Sequence, residues 1–188
     1  MTNGGIVVLG WGSLIWRPEQ LMIVGEWLPG GPTLPIEFSR ISNNGRLTLV
    51  IDETNGVPVK TWFARSTCSK LQDAIDNLRE REGANSTLGI GFVDLLANQT
   101  SNTAKQRHPE AVQVIAAWIR KQGFDAAIWT AIGPRFPQGP FSVESALAYL
   151  RGTQGEVRKK AFEYIRNAPE HVRTPVRERF ILEFPEDA

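Results

Sequence analysis

Two short stretches of this 188-residue sequence carry residues whose types and spacing suit chemistry. The first is Leu9-Gly10-Trp11-Gly12-Ser13-Leu14-Ile15-Trp16. Glycines let a main chain approach an anion closely, and successive N–H groups form an anion-binding nest. Ser13 adds a hydroxyl. The alternative is a tight turn with Trp11 and Trp16 packed in the core. A dinucleotide fingerprint fits poorly: Gly10 and Gly12 match its first two glycines, but Ile15 stands at the third and Pro18 follows soon after.

The second stretch ends at Glu82. The spacing predicts a helix from Ser69 to about Glu82, opened by a Ser69/Gln72 capping box and closed by Gly83. Leu71, Ile75 and Leu78 form its apolar stripe. At about 100° per residue, Glu82 falls about 20° from Leu71, whereas Glu80 falls on the opposite side with Asp76. A carboxylate turned inward must be paired, hydrogen-bonded or protonated, and such a group suits general acid–base work. Arg40, Arg46 and Arg135 are available as partners. Otherwise Glu82 frays into solvent past the helix end.

These stretches need elements to hold them. Residues 6–9 are an apolar, β-branched run and read as a buried strand entering the glycine turn. Residues 16–35, rich in Pro and Gly, read as an irregular connection around one short turn of helix or strand at 21–24. Asn43-Asn44-Gly45 between two apolar runs marks a hairpin of 36–42 with 46–52, and Asn55-Gly56 leads to a third strand at 57–64. Further strands are expected at 90–96 and 124–132, with a polar loop at 97–107. Helices are expected at 109–122, with Pro109 in the first turn and Gly123 closing it, and at 142–150 and 155–167. The tail ends in a candidate strand at 180–184. Trp129-Thr130 is a pocket candidate, with a core position for Trp129 as the alternative. His108 and His171 read as surface residues at helix boundaries.

The composition narrows the mechanisms. One cysteine, Cys68, and two histidines leave no ordinary zinc ligand set, no internal disulfide and little room for Cys-His or Ser-His chemistry. A net charge of +1 argues against a dedicated nucleic-acid or anionic-membrane binder. No apolar run near the start is long enough for a bilayer. The expectation is a single metal-free and cofactor-free domain over 1–188, set in the cytoplasm.

The loop and the glutamate helix together resemble the gamma-glutamylcyclotransferase-like superfamily. Gly10-Trp11-Gly12-Ser13-Leu14-Ile15-Trp16 is similar to its Tyr-Gly-Ser-Leu-type loop and looks closest to the glutathione-directed branch. Leu78-Arg79-Glu80-Arg81-Glu82-Gly83 is similar to the helix end that bears the family's glutamate. The resemblance covers roughly residues 6–95. It implies an α+β fold, a small mixed or antiparallel β-barrel flanked by α-helices. It also implies intramolecular attack of a γ-glutamyl α-amine on its own γ-amide, releasing 5-oxoproline. Carried over, Glu82 is the general acid/base and Gly10, Trp11, Gly12, Ser13 and Leu14 bind the substrate. Arg40, Ser42 and Trp129 are further pocket candidates. The partner would be a small γ-glutamyl compound: glutathione, a γ-glutamyl amino acid or a γ-glutamyl amine. Two departures stand out. Trp11 replaces the family's loop tyrosine, and Ala84-Asn85-Ser86-Thr87-Leu88-Gly89-Ile90 contains no tyrosine. They favour a rival reading, a non-catalytic binding or regulatory protein that retains the pocket.

Overall fold

An all-apolar strand belongs where both faces are covered, and the first strand lies inside the sheet. The computed structural model describes residues 4–185. Its elements are β1 (Ile6–Gly10), α1 (Ser13–Trp16), β2 (Ile23–Ile41), β3 (Leu47–Ile51), β4 (Val57–Ser66), α2 (Leu71–Arg81), β5 (Ile90–Asp94), β6 (Gln99–Thr100), α3 (Asn102–Arg107), α4 (Pro109–Gln122), β7 (Ala126–Thr130), α5 (Val143–Gly152), α6 (Gly155–Asn167) and α7 (Pro175–Glu183). The seven strands form one mixed sheet in the order β3-β2-β4-β1-β7-β5-β6. β1 is parallel to β7, Ile6 opposite Ala126, and antiparallel to β4. The other pairings are antiparallel.

The protein is thus α+β with a mixed sheet, as expected, but the sheet does not close into the barrel that the resemblance implies. β3 and the two-residue β6 end it as separate edges. A bridge between Arg40 and Arg135 helps tie the chain beyond β7 back to β2. On one face of β1, Val7 and Leu9 pack with β2, β3 and helices α4 to α7. On the other, Ile6 and Val8 pack with Ile75 and Leu78 of α2. Among the described residues no helix is long and apolar enough to cross a membrane.

Several local expectations fail for identifiable reasons. Residues 23–35 are not an irregular connection but the first part of the 19-residue β2. This part pairs with β4 alone, because the ladder to β3 begins at Ile36. A proline N–H is not missed on an unpaired side, and register shifts absorb the remaining irregularity. The Ser69/Gln72 capping box does not form: Lys70 is the N-cap without a side-chain bond, and Gln72 donates to Asp76 at 3.0 Å. The 97–107 segment holds β6 and α3, which is capped by Ser101. The tail is helix α7, not a strand. Thr174 caps it, Pro175 opens it, and Phe180 and Phe184 meet Phe162 across ring centroids 4.9 Å apart. The buried Glu37 carboxylate accepts from the Phe38 and Val176 N–H groups, holding the start of α7 on β2. His108 is not a surface residue but fully buried.

Candidate functional site

The turn after β1 and the end of α2 are built to fixed geometry, and they meet. α2 ends in a Schellman closure: Gly83 N–H donates to Glu80 O and Ala84 N–H to Arg79 O, with Gly83 at φ 62°. Glu82 is the C-cap residue. Its backbone is therefore pinned and its half-buried side chain leaves the helix end toward the β1 turn. At that turn Gly12 is the N-cap of α1, and Ile15 N–H donates to Gly12 O at 3.0 Å.

A cavity of about 340 Å³ opens between them. Gly10, Trp11, Gly12, Ser13, Leu14, Arg40, Ser42 and Glu82 all line it, so eight of the nine site candidates come together. Trp129 does not. It is fully buried in the core, with its indole so close to Gly91 that a Cβ there would lie 2.4 Å from the ring. Successive strand residues face opposite ways, and it is Thr130 that reaches the cavity.

The candidates that do gather differ in what they offer. Gly10 is glycine because Trp27 leaves no room, a Cβ there meeting its ring at 2.7 Å. Trp11 and Leu14 are buried, each in a different core cluster, and so present mainly backbone. The Ser42 hydroxyl is engaged in the hairpin turn, donating to Asn44 Oδ1 at 2.6 Å and accepting from the Arg46 N–H at 3.1 Å. Arg40 donates from Nη1 to Gly133 O at 2.7 Å. Burial first, then the charges of Arg135 and Arg107, lower its pKa from the ordinary value.

Glu82 is paired with none of the three expected arginines but with its chain neighbour. Arg81 Nη1 lies 2.7 Å from Glu82 Oε1, and Arg81 Nη2 donates to Ser13 Oγ at 3.3 Å and to Arg17 O. Neighbouring residues within a helix point apart. This pair forms because Glu82 already stands at the helix end. One nearly buried guanidinium thus joins the glutamate to the glycine loop.

Two further residues line the cavity: Tyr164, read from the sequence only as part of a helix's apolar face, and Arg46, expected as a partner of Glu82. Tyr164 of α6 enters the cavity with its hydroxyl against the loop, near the amides of Ser13 and Leu49. Burial above all raises its phenol pKa, so the hydroxyl keeps its proton at neutral pH. Arg46 lies over the same ring, 4.4 Å from its centroid. The available signal was a tyrosine inside an apolar stripe, because a buried hydroxyl needs a polar neighbour. No family model, no curated protein and no solved structure matches the chain.

Proposed function

We propose that this protein is a gamma-glutamylcyclotransferase-like enzyme acting on a small γ-glutamyl compound. The observation that carries the reading is that Glu82 and the 10–14 loop line one cavity and are joined through Arg81. In this reading the sheet is a variant of the family's barrel, and the Arg40–Arg135 bridge is what supports it. Glu82 takes a proton from the substrate's α-ammonium. The freed amine attacks the γ-carbonyl carbon, a C–N bond forms, and the oxygen's developing charge is met by the main chain at Trp11, Gly12, Ser13 and Leu14. The original amide C–N bond then breaks as Glu82 returns the proton to the departing nitrogen, the ring nitrogen loses its second proton, which ends on the released amine as its ammonium, and neutral-amide 5-oxoproline is left. The substrate supplies its own nucleophile, so positioning provides much of the acceleration. Tyr164 brings a hydroxyl to the loop where Trp11 has none. A cytoplasmic setting fits the single cysteine.

A non-catalytic small-molecule binder is the second reading, and the Arg81–Glu82 ion pair favours it, because it gives the carboxylate a structural task. Measuring 5-oxoproline release from a panel of γ-glutamyl peptides, amino acids and amines separates them. Wild type should turn over at least one member, and Glu82→Gln should be slower by about 10²–10⁴-fold. Equal inactivity of both proteins across the panel would overturn the enzyme reading.

A further inference from the structure

Beside the cavity lies a second crevice of about 520 Å³, and Arg40 and Ile132 line both. Arg107 and Arg135 complete its charged rim. Each of the three guanidinium groups is steadied through Nη1 by a neutral oxygen. Arg40 donates to Gly133 O, Arg107 to Ala131 O at 3.0 Å and Arg135 to Asn43 Oδ1 at 2.9 Å. None of them takes part in an ion pair among the described residues, whereas Arg17, Arg79, Arg81 and Arg151 all do. The buried Asp52 does not line the crevice and is occupied by its own turn, accepting from the Thr54 and Asn55 amides at 3.0 Å. Arg40 feels the other two charges directly.

We propose that this crevice binds a phosphoryl group. Three forks with free N–H donors suit an oxyanion, because guanidinium recognises carboxylate and phosphate through paired hydrogen bonds. A carboxylate would leave two of the three positive charges uncompensated, while a phosphoryl group brings up to two negative charges and three acceptor oxygens. Gly89 and Gly133 lie in the wall, and a Cβ at Gly133 would have only His108 Cε1 and Arg107 Cδ nearby, at 3.8 and 3.9 Å. The backbone therefore leaves space for a tetrahedral anion. The assignment is independent of the chemistry proposed for Glu82.

The test is a phosphorus NMR titration of inorganic phosphate with the purified chain at low ionic strength. Saturable binding is expected, weakened about tenfold in Arg107→Gln and likewise in Arg135→Gln, the loss that goes with one charge-assisted hydrogen bond. Both side chains are exposed, and circular dichroism checks that the variants stay folded. A parallel titration with O-phosphoserine identifies the source. Tighter binding than inorganic phosphate marks a phosphoryl group on a larger molecule, and equal binding marks the free ion. The proposal is overturned if phosphate does not saturate, if acetate at matched ionic strength binds as well, or if both variants bind like wild type.

Discussion

The Tyr164 hydroxyl occupies the space a side chain at Gly12 would need: a Cβ on Gly12 would stand 2.8 Å from that oxygen. The next nearest atom, the ring carbon bearing the hydroxyl, would be 3.9 Å away. The glycine of the loop and the tyrosine of α6 are therefore a matched pair.

A double-mutant cycle measures this match. Gly12→Ala is expected to destabilise the protein by about 1–3 kcal/mol in urea denaturation, the usual penalty of overpacking. In a Tyr164→Phe background the same substitution should cost at least about 1 kcal/mol less. An identical cost in both backgrounds would mean that the hydroxyl is not what excludes a side chain.

Arg81 should matter to stability as well as to turnover. Arg81→Ala removes the partner of Glu82 and the tie to Ser13 and Arg17. A loss of about 2–3 kcal/mol is expected for charge-assisted bonds at this partly buried place. Arg81→Lys keeps the charge without the fork, and should restore only part of the stability and of any 5-oxoproline release. Full recovery in the lysine variant, by thermal denaturation and rate, would refute a geometric role.

His108 makes folding sensitive to mild acid. Burial, and secondarily the charge of Arg107, lowers its pKa from 6.5 to about 4. The folded state resists protonation that the unfolded chain accepts, so stability is complete above about pH 6.5 and declines as the pH falls toward 4. That gap corresponds to about 3 kcal/mol. Urea midpoints between pH 4 and 7.5 should show the decline in wild type, and His108→Gln should flatten it by that amount.

Trp129 should behave as core. Trp129→Ala should lose about 3–5 kcal/mol, lowering the thermal midpoint by roughly 10 °C. Trp129→Phe should retain a folded protein and whatever turnover wild type shows. A change in substrate preference with unchanged stability would return Trp129 to the site.

What could be read without coordinates was local. The β1 run, the Asn-Gly hairpin and the inward position of Glu82 each follow from a few adjacent residues and one periodicity, and each is present. β2 was hidden because its prolines and glycines signal irregularity, and only its one-sided pairing makes them tolerable. α7 was hidden because Phe180 and Phe184, two residues of a helical stripe with Val176, also fit an alternating pattern. Tyr164 and Arg46 reach the cavity from α6 and from the turn just before β3, and no spacing in the chain announces that meeting. Arg81 was overlooked for a physical reason too. Helical neighbours diverge, and this pair converges only because the helix stops between them.

Strands β1 and β7 run side by side in the same direction, so the turns that follow them leave the sheet at one end. Residues 10–14 come from the first turn, and Thr130, Ile132 and Arg135 from the second. Neither turn is needed to hold the two strands together. Recomposing residues 133–135 would change the wall of the second crevice while leaving the ladder of Ile6, Val7 and Val8 with Ala126, Ala127 and Ile128 untouched, but Arg135 also bonds the main chain of Ser39 and Ile41. The exit of β7 thus serves two ends at once, walling the crevice and tying the chain back to β2.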